Sequence, residues 1–274
     1  MKRFVSLLLT TGMTLKFFKP LRHEDTKKKA LDSCLCALVV IFGYGFDALL
    51  FSVAFPQSHW RHSAYQTTTH KNFRSNKLFQ QTIAFNKIDY PLLHAAIFFV
   101  TNETRVKNKR PPLTFALALE RAAYHHSKRM VEQNFFSHEN PFDKSRKTAQ
   151  QRAQLAGIKN PMLAENIATH FGIQYKANAP IYPVDRLKGT FSYESDGPLI
   201  PNHTYLSFAE AIVKQWLNSP AHRANILNRE ALQLGCGAYF YYDRAFHNMP
   251  KFKATQNFQL YRNIIPDRVT DPWP

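Results

Sequence analysis

The sequence predicts a mixed α+β domain behind an N-terminal hydrophobic helix, and three observations predict it. Apolar residues recur at three-to-four-residue spacing in stretches between Leu92 and Trp216, the mark of helices with one buried face. The aromatic run Ala238 to Tyr242 and the segment Lys251 to Tyr261 read as strands. Ahead of them, Leu35 to Phe55 is about the length of apolar chain that crosses a bilayer.

Residues 1–33 are basic and polar apart from the short run Phe4 to Leu9, and they end in Lys27-Lys28-Lys29. With those lysines ahead of the hydrophobic segment 34–56, the positive-inside rule places the N-terminus in the cytoplasm and everything after Phe55 outside. Ser52-Val53-Ala54 fits the small-x-small pattern of a signal-peptidase site, so the segment is either cleaved or kept as an anchor. Asp47 weighs against the anchor, because an acid at mid-bilayer costs about 2.5 to 3.5 kcal/mol. The long basic stretch weighs against a cleaved signal, and export with anchoring is preferred. Residues 57–88 are polar without sustained periodicity and are expected to form a linker. The folded domain is expected over 89–262 and a tail over 263–274.

The formal charge of +17 is distributed unevenly. Residues 1–30 hold eight Lys/Arg against Glu24 and Asp25, residues 57–110 hold nine against Asp89 and Glu103, and the rest hold nineteen against thirteen acids beyond Asp32 and Asp47. No helix-turn-helix, zinc-finger or aromatic-plus-basic RNA motif accompanies the charge, so no nucleic-acid partner is expected. Three cysteines do not make a disulfide framework. Cys34 and Cys36 open the hydrophobic segment, and Cys236 falls in a predicted buried strand, where a free thiol acts as a small apolar group.

Within the domain, Pro91 suits the first turn of a helix, with Leu92, Leu93, Ala96, Ile97, Val100 and Thr104 along one face. Arg105 to Pro112 reads as a basic loop. A second helix is expected over Ala116 to Phe135; His125 and His126 point about 100° apart on it and cannot form a same-face pair. Lys144 to Ala156 reads as a third helix closed by Gly157 in a left-handed cap. Leu163 to Ala168 is expected to open a short helix carrying Glu165. From Phe171 to His203, with Pro180, Pro183, Pro198 and Pro201, no element is evident, and so long a loop in a compact domain is usually functional or mobile. A fourth helix is expected from an N-cap at Ser207, with Glu210 completing a capping box. It breaks at Asn218-Ser219-Pro220, which presents His222. Asn102-Glu-Thr and Asn202-His-Thr match the glycosylation acceptor pattern.

Four motifs then follow in order: Phe136-Ser137-His138 after a helix, Ala164-Glu165-Asn166-Ile167-Ala168, Trp216 followed by Ser219-Pro-Ala-His222-Arg-Ala-Asn-Ile-Leu227, and Leu234-Gly-Cys-Gly237. Together they resemble the CAP superfamily of cysteine-rich secretory, antigen-5 and pathogenesis-related proteins, particularly its bacterial SCP-domain members, over roughly Leu92 to Tyr261. The resemblance implies a three-layer α-β-α sandwich with a small, mostly antiparallel sheet. It also implies a cleft lined by two histidines and two glutamates, where some members bind a divalent metal. Matched residue by residue, His138, Glu165 and His222 fill three of those places; the second glutamate's place is taken by Ser219.

Two imidazoles and a carboxylate can hold zinc with an open position for water, His138 and His222 being the metal ligands. The same trio can instead be a hydrogen-bonded cluster that shapes a ligand cleft. No Gly-x-Ser-x-Gly elbow, His-Glu-x-x-His pair or phosphate loop is present. The preferred expectation is therefore a non-enzymatic extracytoplasmic binding module for a small ligand (a lipid, a metal ion or a peptide), held at the membrane by its N-terminal segment. The alternatives are a metal-dependent hydrolase using the same cleft and an envelope-interaction protein whose basic 57–110 stretch contacts an anionic polymer.

Overall fold

The computed structural model describes residues 60–270, so the basic stretch 1–33 and the hydrophobic segment 34–56 lie outside the described residues. Among the described residues no helix is long and apolar enough to cross a membrane. The helices are α1 (Tyr90–Lys107), α2 (Leu117–Glu132), α3 (Ala149–Leu155), α4 (Tyr205–Asn218) and α5 (Pro220–Ile226). The strands are β1 (Thr114–Phe115), β2 (Leu163–Phe171), β3 (Tyr182–Asp185), β4 (Thr190–Ser192), β5 (Ala231–Asp243) and β6 (Met249–Leu260).

Four strands form one sheet in the order β1-β5-β6-β2, with β1 parallel to β5 and the other pairs antiparallel. Along β5 the side chains alternate as a pleated strand requires. Leu234, Cys236 and Ala238 enter the core shared with α1 and α4. Gly235 and Gly237 face the opposite way, and a Cβ on either would collide with the α2 backbone at Glu120 or Tyr124. Two strand glycines thus let α2 lie directly on the sheet, and the expected helix-sheet-helix layering follows. Cys236 is the buried, unpaired thiol the sequence predicts, and burial pushes its pKa well above the usual thiol value.

Helix α1 is capped by Asp89, whose carboxylate accepts from the Leu92 amide at 3.0 Å, with Pro91 in the first turn. Every residue from Leu92 to Asn102 is buried, so this is a central helix and not one with a single apolar face. Asn102 is among them, bonded both ways to the Leu113 backbone, and its acceptor motif is inaccessible to modification.

Several expectations are corrected. The fourth helix starts earlier, at an N-cap of Thr204 with Ser207 in third place completing the box; Glu210 instead pairs with Arg74 at 2.7 Å. Arg105 is not in a loop: it is buried in α1 and donates to the carbonyls of Pro111, Ile226 and Asn228, tying α1 to the end of α5. Residues 60–88 are not a linker. They form 3-10 turns that bury Trp60, Phe73, Phe79 and Ile83 against Phe98 and Phe99 of α1, in a web of edge and tilted ring contacts. The expected third helix is a 3-10 turn at Lys144–Arg146 followed by α3, which Thr148 and Gln151 cap reciprocally, with Gly157 at φ +96° after it.

Leu163–Phe171 is a strand, not a helix, because nine consecutive residues pair with β6. Ala and Glu favour helices locally, yet an edge position in a sheet with buried neighbours overrides that weak preference. The 171–203 segment contains the β3–β4 hairpin, which packs Phe191 with Ile173, Ile200 and Met249 in a small core of its own. Residues of the 263–274 tail dock on α3: the Asp267 amide donates to the Gly157 carbonyl and the Thr270 amide to that of Leu155.

Candidate functional site

Glu165 lies on the edge strand β2, with its side chain 5% exposed. One oxygen accepts from His138 Nδ1 at 2.9 Å, and the other from the Arg152 guanidinium at 2.7 Å. With its amide turned nitrogen-inward, Asn257 of β6 donates to the second oxygen at 3.1 Å and accepts from the Ala123 amide. Burial on its own would raise the Glu165 pKa. The His138 hydrogen bond and the charge of Arg152 outweigh it and hold the group below its ordinary value.

Arg152 does more than neutralise the acid. From α3 it also donates to the carbonyls of His138, Arg146 and Lys147, so one buried guanidinium closes the 138–147 loop over Glu165. His138 is left at the loop's start with one ring nitrogen held by the carboxylate and its side chain 54% exposed.

His126, on the inward face of α2, completes this side of the cluster. Its Nε2 donates to the Ser137 carbonyl at 3.0 Å and lies 4.0 Å from Glu165, while its Nδ1 is buried without a partner. Burial pushes its pKa down to about 4, so the ring is neutral.

Asn166, the next residue of β2, points to the other face of the strand and positions His222. Its amide donates to the His222 carbonyl at 3.1 Å and to Gln256 of β6 at 3.1 Å, and it accepts from Asn225 of α5 at 2.9 Å. Gln256 in turn donates to Thr101 of α1 at 2.7 Å. A buried amide chain therefore runs from α1 through the sheet and pins α5, which begins at Pro220 after the break at Ser219. Partial burial and the neighbouring His138 lower the His222 pKa.

The three residues the sequence singles out are thus tied to one strand: His138 bonds the Glu165 carboxylate, and α5, which carries His222, bonds the Glu165 carbonyl through Asn225 at 3.3 Å and the neighbouring Asn166 through the His222 carbonyl. The fit to a metal is poor. Both Glu165 oxygens are engaged by protein donors, and among the described residues no group of three or more His, Cys, Asp or Glu side chains is placed to hold an ion. His138 and His222 as zinc ligands consequently have no third protein ligand here.

Sequence reasoning missed His126, Arg152, Asn166, Gln256 and Asn257. For His126 the signal was present: it follows Ala122 by four residues and precedes Met130 by four, which sets it on the buried face. A buried arginine or amide leaves no such periodic trace. A cavity of about 660 Å³ lies elsewhere, among Tyr65, Phe98, Phe99, Leu113 and Phe115.

Among curated proteins no sequence matches this chain. Solved structures similar to it include the following three. An extracellular protein containing an SCP domain from Bacillus anthracis is 24% identical with a TM-score of 0.41, over 63% of this chain and 42% of that one. An outer surface protein from Borrelia burgdorferi is 17% identical at 0.37, over 60% and 91%. A cysteine-rich secretory protein from Staphylococcus aureus is 15% identical at 0.36, over 62% and 39%. The chain therefore spans less than half the length of the first and third of these. The sequence model of the cysteine-rich secretory protein family, CAP, matches residues 98–258, a run that contains His138, Glu165 and His222 and covers more than half of the chain. The chain belongs to the CAP family.

Proposed function

We propose that this CAP domain is an extracytoplasmic, non-enzymatic binding module that receives a small ligand at the surface formed by His138, Glu165 and His222. The observation that carries this is the commitment of Glu165. Its two oxygens are taken by His138 and Arg152, so the carboxylate orients an exposed imidazole and is not itself free to react. An imidazole fixed at one nitrogen and open at the other is a hydrogen-bonding contact for a lipid headgroup or a peptide carbonyl. Export rests on the hydrophobic segment 34–56 and its basic flank. The basic excess of residues 57–110 favours a further contact with an anionic envelope polymer, since Lys71, Lys77, Lys87, Lys107 and Lys109 are exposed on the folded surface.

The test uses the full chain. Ring signals of His138 and His222 are followed by NMR while zinc chloride, a lysophospholipid or a short peptide is added, and casein and p-nitrophenyl acetate turnover is assayed in parallel. Binding predicts shifts of both rings with one probe, abolished in His222→Ala, and no turnover beyond that of His138→Ala. Turnover that disappears in either variant would establish the hydrolase instead.

A further inference from the structure

A turn that meets only water is usually built from small or polar residues, but the turn between β3 and β4 carries a leucine. Leu187 is 88% exposed, and burial alternates along β3 so that Val184 and Tyr182 also stand outward, at 52% and 49%. The turn is firmly held. The Asp185 carboxylate accepts from the amides of Leu187 and Lys188 at 2.9 and 3.1 Å, and Asn248, in the turn joining β5 to β6, donates to the Arg186 carbonyl at 2.7 Å. Gly189 packs so closely here that a Cβ would strike the Asn248 backbone and press on the Tyr242 ring. Two turns fastened together therefore present Val184, Leu187 and Tyr242 at one end of the domain, with Tyr182 a few residues behind.

The charge around these side chains is positive. Arg186, Lys188 and Arg244 are exposed. The acids of the two turns are already engaged, Asp185 by the two amides and by Lys188 at 3.3 Å, Asp243 by the Ala245 amide and by Lys251 at 2.7 Å. Arg186 and Arg244 remain as the surplus. Apolar side chains flanked by cations and tyrosines suit the headgroup region of an anionic bilayer, where the rings sit at the interface and the cations meet phosphate.

The place of this end in the chain points the same way. Helix α1 runs opposite in direction to β5: Tyr90 at its start stacks on Tyr239 at 5.4 Å, and Arg105 near its end bonds the carbonyls of Ile226 and Asn228, just ahead of β5. The two turns thus lie at the N-terminal end of α1. Trp60 is there too, its amide donating at 3.1 Å to Asp89, the α1 cap. Residues 57–59 alone separate Trp60 from the hydrophobic segment 34–56. A stretch that short reaches at most about 14 Å, so a bilayer holding that segment would lie close to this end. Glu165 is remote from it: Glu165 pairs with Asn257 of β6 and Tyr242 with Pro250, positions about 23 Å apart along the strand.

We infer that the β3–β4 turn is a membrane-contact element, an inference that rests on the anchored reading of segment 34–56. Leu187 and Val184 enter the interface of an anionic bilayer, Arg186 and Arg244 lie on its phosphates, and the surface formed by His138, Glu165 and His222 is held away from the lipid.

The experiment places the full chain in lipid nanodiscs, made of phosphatidylglycerol with phosphatidylcholine or of phosphatidylcholine alone, and compares it with the chain in detergent. Trypsin cleavage after Arg186 and Lys188 is followed by mass spectrometry, with cleavage after Lys109, beyond the far end of α1, as the internal reference. Proteolysis follows the population of the open form, so a turn seated in lipid nine-tenths of the time is cut about tenfold more slowly. That slowing relative to Lys109 is expected on the phosphatidylglycerol discs, with less on phosphatidylcholine, and high salt should reverse most of it. Leu187→Ser should reverse it as well, and a side chain so exposed can be replaced without harm to the fold. A chain that stays in the discs while its turn is cut as fast as in detergent overturns the contact and leaves the anchor standing. A chain that does not enter the discs overturns both. Protection that appears in detergent and grows with protein concentration makes these turns an interface between copies, and protection unchanged in Leu187→Ser removes the leucine's role; either result overturns the inference.

Discussion

At the scale of single residues, burying the Glu165 carboxylate without Arg152 would leave a negative charge facing only neutral donors. Removing one partner of a buried pair typically costs about 3–5 kcal/mol, far more than deleting an exposed one. Arg152→Met should therefore lower unfolding stability by about that amount and also release the 138–147 loop, since four carbonyl and carboxylate contacts go with it. Glu165→Gln keeps the shape but replaces one accepting oxygen by a donor that faces another donor, and it leaves the buried Arg152 cation unpaired, so it too should cost about 3–5 kcal/mol. The pair of variants together should cost less than the sum of the two, because each removes the other's unpaired charge. Urea midpoints of the three proteins measure this, and an additive result would mean that Arg152 serves the loop alone.

Elements show which features local sequence can reveal. The break between α4 and α5 was legible because proline acts at its own position, and His222 duly follows it. The cap at Thr204 was misplaced because two hydroxyl residues three apart both suit the role, and only backbone geometry chooses between them. Strand β2 was hidden for a different reason. Its Ala-Glu-Asn-Ile-Ala core lacks the β-branched run of a typical strand and is held extended by β6, some 90 residues away in sequence. Glycine in β5 gave a legible motif with an illegible purpose. Gly237 admits α2 so closely that a methyl group would strike the Tyr124 backbone. Backbone cannot swing aside as a side chain can, so Gly237→Ala should destabilise by about 1–3 kcal/mol or more by forcing α2 off the sheet. Hydrogen exchange should then rise along α2 while α1 and α4 stay protected; uniform protection would contradict the close approach.

Taken as a whole molecule, the domain is larger than its motifs suggest. The 60–88 stretch read as a linker because its apolar residues are sparse and aperiodic, yet Phe73 and Phe79 are fully buried against Phe99. Phe79→Ala should cost about 3–5 kcal/mol, and chemical denaturation will show whether this segment belongs to the same cooperative unit. Acid sensitivity tests the fold more widely, because burial lowers the pKa values of four histidines on different elements: His126 and His203 to about 4, with His170 and His222 also lowered. The unfolded chain, with histidines near 6.5, binds more protons than the folded one between about 4 and 6.5, so stability rises with pH across that window and is lost as pH falls through it. His126 and His203 would each contribute about 3 kcal/mol of that loss by the acid end. Glu120 and Glu165, held below their ordinary values, extend it to still lower pH. His62 acts oppositely. Its hydrogen bond to Glu120 raises its pKa, so its contribution is present below about 6.5 and fades as pH climbs past the raised value, weakly because the ring is partly exposed. Urea midpoints measured from pH 8 to pH 4 should therefore fall steeply below about 6.5, and His126→Gln, which stays uncharged, should flatten the slope. A profile level down to pH 4.5 would mean that these rings meet solvent and are not held neutral in the core.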